Sequence, residues 1–143
     1  MLVFFIKKNM QQSKTKGQIE DELSKKIAKF YFKTLGVGPR ESRVYILEDM
    51  IIIRLKGKLS PLEERLLEGS GGIELVKDIR EALHEVTVKG VSKIIKTIIN
   101  HKIISSHSDI STKSGEILQV YIVDTNFEQE LKKMNSFHGR LPK

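Results

Sequence analysis

The sequence predicts one α+β domain in which a mostly antiparallel sheet, built from two β-hairpins, is covered on one face by amphipathic helices. Its length of 143 residues favours a single domain. Apolar residues recur with helical spacing in some segments and alternate with polar residues in others, which separates helices from strands. Each apolar surface needs a second layer against it, so the helices are expected to pack on the sheet. The predicted element order is α-β-β-α-α-β-β-α.

The first predicted helix runs from Gly17 to Leu35. It has acidic residues near its start and lysines near its end, an arrangement that suits the helix dipole. Pro39 biases Gly38 away from helical geometry, so the helix is expected to end before this pair. The apolar positions with nearly helical spacing are Ile19, Leu23, Ile27, Phe30 and Leu35.

A tight antiparallel hairpin is predicted next. Apolar and polar residues alternate within residues 43–56, and Glu48 and Asp49 form the only polar break between the two strands. Tyr45 is expected to face outward. The residues expected to alternate onto the core side are Val44, Ile46, Ile51, Ile53 and Leu55.

A short helix is predicted to begin at Pro61. Ser60 and Glu63 have the spacing of a capping box, and a proline in the first turn needs no hydrogen-bond acceptor. The glycine-rich segment 69–72 is expected to end this helix. The residues expected to face inward are Leu62, Leu66 and Leu67.

A longer helix is predicted from Ile73 to about Ile99. Gly90 is its weakest point and the place where a kink or a division is expected if the helix has one. The residues expected on its buried side are Val76, Ile79, Leu83, Val86, Val91, Ile94, Ile95 and Ile98.

The second hairpin is predicted from residues 102–110 and 116–123, with residues 112–115 as its loop. In the second of these strands, Gln119 and Tyr121 are expected to face outward. The residues expected to face the core are Leu118, Val120 and Ile122.

The predicted organisation has three parts. Residues 1–13 form an N-terminal arm, residues 14–124 form the α+β domain and residues 125–143 form a helical tail. The apolar run at positions 1–6 is too short for a membrane helix or a signal peptide, so a cytoplasmic protein is expected. Residues 3–6 are expected to be hidden as an added strand or in a subunit contact.

The net charge of +7 limits the class of partner. Residues 1–33 hold eight lysines against three acidic residues. A basic segment of this kind can bind nucleic acid or an anionic membrane surface, although it is more often the solvated side of a helix. The absence of cysteine excludes disulfides, thiolate zinc sites and cysteine nucleophiles.

A series of short motifs carries a family resemblance. Their order and spacing are more specific than any one of them, and they read KGQI at 16–19, GVGP at 36–39, RVYI at 43–46, DMIIIRLKGKLSP at 49–61 and SHSDIST at 106–112. On these motifs, the chain resembles the MpsC-like family, a bacterial family formerly of unknown function and named for a sodium-translocating, membrane-potential-generating system.

The resemblance covers residues 14–124. It implies a non-enzymatic accessory or regulatory protein, linked to cation translocation or inorganic-carbon uptake and acting through contacts with a membrane transport system. It implies no catalytic residue and no cofactor. The segments 69–72 and 87–90 depart from the family pattern, so the local conformation there is left open.

Five residues are candidates for binding a ligand or a partner. Arg40, Arg43 and Arg54 are expected near the first hairpin, where they could receive an anion. The alternative for Arg43 and Arg54 is that they pair with the nearby carboxylates of residues 41 and 48. His107 and Asp109 share one strand face, whereas the serines at 106 and 108 lie on the other, so a Ser/His/Asp triad is not expected. No metal site is expected, because the four histidines lack a close ligand spacing.

The glycine-rich segment supports an alternative function. A GxxG segment between two helices resembles a type II KH domain, in which it clamps the backbone of RNA. The residues of this possible phosphate or RNA loop are Gly69, Gly71 and Gly72. The other interpretation is a glycine helix stop.

A homodimer is also predicted. Residues 50–53 are apolar on both faces of their strand, and residues 94–99 are apolar over more than one stripe of their helix. A second copy would hide the excess through the long helix, a sheet edge or the N-terminal arm.

Overall fold

A computed structural model describes the backbone of residues 14–139 and the side chains of residues 14–136. It confirms the predicted α+β class and element order. The predicted arm at residues 1–13 and the chain end at 140–143 lie outside the described residues. The elements are α1 (Lys16–Leu35), β1 (Glu41–Leu47), β2 (Met50–Lys56), α2 (Pro61–Leu67), α3 (Gly72–Ile99), β3 (Ile103–Ile110), β4 (Ile117–Val123) and α4 (Phe127–Gly139).

The four strands form one sheet in the order β1-β2-β4-β3, and every neighbouring pair is antiparallel. The two hairpins therefore join through their second strands. We call the side of the sheet that packs on the helices the inner face and the opposite side the outer face. The buried strand residues of the inner face are Val44, Ile46, Ile51, Ile53, Leu55, Gln119, Tyr121 and Val123.

Local signals define the helix ends. Thr15 and Gln18 form a capping box at the start of α1, and Gly36 ends that helix with a φ of 76°. Ser60 and Glu63 form the predicted capping box of α2. Each cap satisfies backbone groups that would otherwise lack partners, so these boundaries follow from neighbouring residues.

The long helix α3 continues through Gly90. A Cβ atom at this position would lie 2.1 Å from Cζ of Phe30 in α1. The missing side chain therefore lets the two helices approach closely at this point, and glycine has a packing role here.

The predicted orientation of β4 is wrong. Gln119 and Tyr121 are 1% and 0% exposed, whereas Leu118 is 46% exposed. Val120 and Ile122 lie on the same side as Leu118, because β4 pairs with β2 so that Ile53 is opposite Gln119 and Ile51 is opposite Tyr121.

Two helix predictions are also wrong. Leu62 is 68% exposed, because the capping box and an ion pair turn the adjacent Glu63 into the α2–α3 contact. Val86 is 63% exposed, because α3 directs the next residue, Thr87, against α1 instead. In α1, Tyr31 is buried, whereas Phe30 is only half-buried.

Candidate functional site

A cavity of about 400 Å³ lies between α1, α3, β3 and β4. We call it the polar cavity, because hydrogen-bonding groups lie on its inner wall. Its size is within the range of small-molecule sites. The apolar residues around it are Leu35, Leu83, Ile110 and Ile117.

The inner wall is a directed chain of hydrogen bonds. Gln119 Nε2 donates to the hydroxyl of Tyr31 at 2.6 Å. That hydroxyl lies 3.4 Å from Thr87 Oγ1, which in turn donates to the carbonyl oxygen of Leu83 at 3.0 Å. Because Thr87 already uses its proton on Leu83, it accepts from Tyr31. The chain therefore runs from β4 through α1 to α3, and it satisfies groups that would be costly to bury alone.

His84 joins this chain through the second amide hydrogen of Gln119. The distance from Gln119 Nε2 to His84 Nδ1 is 3.2 Å. Burial lowers the pKa of His84, against the opposing effect of the nearby Glu85 and Glu81 carboxylates. A neutral ring that accepts at Nδ1 carries its proton on Nε2. His84 therefore keeps one N–H group that this network does not use.

Burial also keeps Tyr121 neutral. Its hydroxyl lies 3.5 Å from Gln119 Oε1, so both polar ends of the Gln119 amide face hydroxyl groups. Burial raises the pKa of Tyr121 well above the ordinary value of a tyrosine. The Gln119 amide thus lies between two tyrosine hydroxyls and the His84 ring.

Charged residues lie at the edge of the polar cavity. Arg80 forms two hydrogen bonds with the Glu63 carboxylate, the second at 2.8 Å. Burial acts to raise the pKa of Glu63, but the bonds from Arg80 and the Ser60 backbone outweigh it and lower that pKa overall. Lys77 and Glu81 are exposed on α3, the helix that also carries Arg80. The edge of the cavity therefore has both positive and negative side chains.

The hydroxyls of Ser106 and Ser108 also line the cavity. Within the part of the chain that the structure describes, neither side chain has a hydrogen-bond partner, so both are available to a ligand. As predicted from strand alternation, they face away from His107. The arrangement can hold a small molecule with an apolar part and a few hydrogen-bonding groups.

The predicted binding residues lie elsewhere and do not form one cluster. Arg43 and Arg54 lie opposite each other on β1 and β2, on the outer face. Arg43 donates to the carboxylate of Glu41 at 2.7 Å, and Arg54 donates to the carboxylate of Glu116. The Arg40 backbone N–H bonds the carbonyl of residue 56. Arg43 and Arg54 therefore pair with carboxylates, the alternative that the sequence left open for these two residues.

His107 and Asp109 lie on β3, at the opposite edge of the same sheet. Both are exposed, and Asp109 Oδ1 accepts from the N–H of Ile110 at 2.8 Å. Asp109 also contributes to the border of the polar cavity, although strand pairing places it on the outer face with Leu118. Among the described side chains, no group of three or more histidines and carboxylates is arranged to hold a metal ion.

The glycine segment has structural roles. Gly71 has a φ of 74°, which favours glycine. A Cβ atom on Gly72 would lie 1.6 Å from the carbonyl oxygen of Leu66, so only glycine fits between α2 and α3. These two glycines belong to the start of α3, whereas α2 ends at Leu67 with Glu68 in right-handed helical geometry. Backbone conformation and helix packing therefore account for Gly71 and Gly72 without a ligand.

Sequence reasoning missed the residues of the inner wall, Tyr31, His84, Thr87 and Gln119. One signal was present, since Gln119 is a lone amide in the strand ILQVYIV. Alternation places Gln119 on the outer face, because its neighbours Leu118 and Val120 are apolar. Alternation alone could not reverse that choice.

Most of the chain is similar to a known protein family. A family model described as "Na+-translocating membrane potential-generating system (MpsC)" matches residues 15–125. The chain is 36% identical over 121 residues to "Uncharacterized protein YbcI" of Bacillus subtilis (strain 168). The aligned segment covers 85% of this chain and 98% of that protein. No solved structure matches. None of the described helices is long and apolar enough to cross a membrane.

Proposed function

The chain belongs to the MpsC family, and we propose on this premise that it is a non-enzymatic accessory or regulatory protein of a cation-translocating system. It acts in the cytoplasm through contacts with other proteins of that system. The observation that carries the regulatory part of this proposal is the polar cavity. Its residues come from several elements, so a bound molecule would touch the helices and the sheet at once.

The chemistry of the cavity favours an uncharged polar ligand. Its inner wall carries no formal charge near its centre, because Gln119 and Thr87 are uncharged side chains and burial lowers the pKa of His84. An ion placed against this wall would lose its hydration without gaining an opposite charge. A neutral molecule can instead bond Ser106 and Ser108 while its apolar part contacts the surrounding leucines and isoleucines.

The hydrogen-bond chain supplies a route from the ligand to the surface. Gln119 bonds Tyr31 on α1 and His84 on α3, so a ligand that alters its bonds changes how both helices are held on β4. A change in helix position on the sheet is a change in the surface offered to a partner protein.

A deletion strain tests the link to the membrane system. Loss of the gene should lower the membrane potential, measured with a potentiometric dye, and reduce growth at high sodium concentration. The wild-type gene supplied in trans should restore both. Unchanged potential and sodium tolerance in the deletion strain would contradict the proposed function.

Complementation with cavity variants tests the site. Ser106→Trp places a large ring in the polar cavity and should not restore the potential, whereas Lys89→Trp, at an exposed position of α3 outside the cavity, should restore it. Circular dichroism and thermal unfolding of both purified variants control for loss of the fold. Full restoration by Ser106→Trp would show that the cavity has no part in the function.

A further inference from the structure

The outer face of the sheet has a regular pattern that the polar cavity does not explain. Strand pairing places its side chains in three rows that cross all four strands. From one end of the sheet to the other, in the strand order β1, β2, β4, β3, the rows are Arg43, Arg54, Leu118 and Asp109, then Tyr45, Ile52, Val120 and His107, then Leu47, Met50, Ile122 and Ser105.

Most of these positions are apolar. Three of them are large and exposed: the exposed fractions of Tyr45, Leu47 and Leu118 are 43%, 46% and 46%. The core packs on the inner face, so none of these side chains belongs to it. A contiguous apolar surface of this kind is typical of an interaction site.

We propose that this outer face binds a second copy of the chain, with the two sheets packed face to face about a two-fold axis parallel to the strands. Such an axis places β1 of one copy over β3 of the other, and β2 over β4, because the strand order is β1-β2-β4-β3. Each row then faces the same row of the second copy, read in reverse.

Charge complementarity selects this arrangement. The first row has Arg43 at one end and Asp109 at the other, so each guanidinium faces the carboxylate of the second copy, and the contact occurs twice. Arg43 already bonds Glu41 with Nε, but a guanidinium has five N–H donors and can bond a further carboxylate.

The apolar residues of the two central strands face one another in the same arrangement. In the two other rows, Ile52 faces Val120 and Met50 faces Ile122 of the second copy. A two-fold axis perpendicular to the strands would instead reverse the row order, and Arg43 would face Leu47. That alternative gives neither Arg43 nor Asp109 an opposite charge. The axis parallel to the strands pairs both of them and leaves only Arg54, which keeps its bond to Glu116, against Leu118.

The full-length chain provides the test, by sedimentation equilibrium at micromolar concentration. The wild type should have twice the mass of one chain. Arg43→Asp and Asp109→Arg should each weaken association by about tenfold or more, since each brings like charges together. The double variant Arg43→Asp/Asp109→Arg exchanges the two charges and should restore the dimer.

Arg65→Asp is the matched control, because Arg65 is an exposed arginine of α2 away from the outer face. It should leave association unchanged, and circular dichroism should show that all variants keep the fold. A monomeric wild type would overturn the proposal, including the case in which hydrogen exchange shows the outer face protected by residues 1–13 of its own chain. A dimer that none of the charge reversals weakens would also overturn it, since the contact would then involve the long helix or a sheet edge.

Discussion

Gln119 donates from Nε2 to the hydroxyl of Tyr31 at 2.6 Å, and both side chains are almost fully buried. One amide therefore ties the second hairpin to the first helix. Because its other hydrogen is directed to His84 Nδ1, the same side chain also reaches α3. The inner wall of the polar cavity depends on this residue.

Replacement of Gln119 by Leu should destabilise the protein. The hydroxyls of Tyr31 and Tyr121 would lose a buried partner, which costs about 1–3 kcal/mol of the free energy of unfolding. Gln129→Leu, at an exposed position of α4, is the control and should change that free energy by less than about 0.5 kcal/mol. Urea unfolding measures both, and equal effects would argue against a structural role for the network.

The stability of the protein should fall as the pH falls below the ordinary histidine value near 6.5. Burial lowers the pKa of His84, so the unfolded chain binds this proton more readily than the folded one, and stability is lost as the pH falls through that range. One such group gives a slope of at most about 1.4 kcal/mol per pH unit.

His84→Gln should reduce this slope between pH 5.5 and 6.5. The acidic residues with lowered pKa values, such as Glu63 and Glu128, titrate at lower pH and do not obscure the effect. Urea unfolding at several pH values provides the measurement. An identical slope in wild type and variant would show that His84 is not the group responsible.

Gly72→Ala should be strongly destabilising. The added Cβ atom would overlap the backbone carbonyl of Leu66, which cannot move away as a flexible side chain can, so a loss of about 2 kcal/mol or more is expected. Gly17→Ala is the control, because no atom lies within 4 Å of its added Cβ. That change should be neutral or stabilise by up to about 1 kcal/mol. Thermal unfolding of the two variants should therefore shift in opposite directions or by clearly different amounts.

Arg80→Met should also be destabilising, since it leaves the buried carboxylate of Glu63 without its main partner. Their side chains are 18% and 9% exposed, and breaking a pair of this kind costs about 3 kcal/mol. Glu63→Gln combined with Arg80→Met should cost less than the sum of the single changes. Arg65→Met breaks the exposed Arg65–Glu68 pair and should cost less than about 1 kcal/mol. Additive effects at Glu63 and Arg80 would contradict direct coupling.

Binding to a single-stranded oligonucleotide should be weak and should disappear near physiological salt. Two features favour this result: Lys14, Lys25 and Lys26 bond carboxylates of their own helix region, and the glycine segment has packing roles. Counterion release makes such binding fall steeply with salt. Fluorescence anisotropy at several salt concentrations is the measurement. Micromolar affinity retained at about 150 mM salt would favour the KH-like RNA-binding alternative.

Much of the secondary structure could be predicted because its signals are local. The capping box of Ser60 and Glu63 places the start of α2 through bonds between residues three positions apart. The first hairpin was oriented correctly, since charged residues such as Arg43 and Lys56 mark one face of its strands. In both cases the signal lies in residues a few positions apart within one helix or one strand.

The orientation of β4 could not be predicted in this way. Its two faces carry Leu118, Val120 and Ile122 on one side and Gln119 and Tyr121 on the other, so hydrophobicity alone favours the wrong one. A shift of one residue in the pairing of β4 with β2 exchanges the faces. The correct choice becomes favourable only when Tyr31 and His84 supply partners for the buried amide.

The sequence by itself determined the α+β class, the order of the elements and the ends of the helices, because periodicity and capping act over a few residues. Only the tertiary structure decided which face of β4 is buried, why Gly90 and Gly72 are glycines and where the polar cavity lies. These features depend on residues far apart in the chain, such as Gln119 and Tyr31. The free energy of burying a polar group depends on whether a partner meets it there, and no local pattern contains that information.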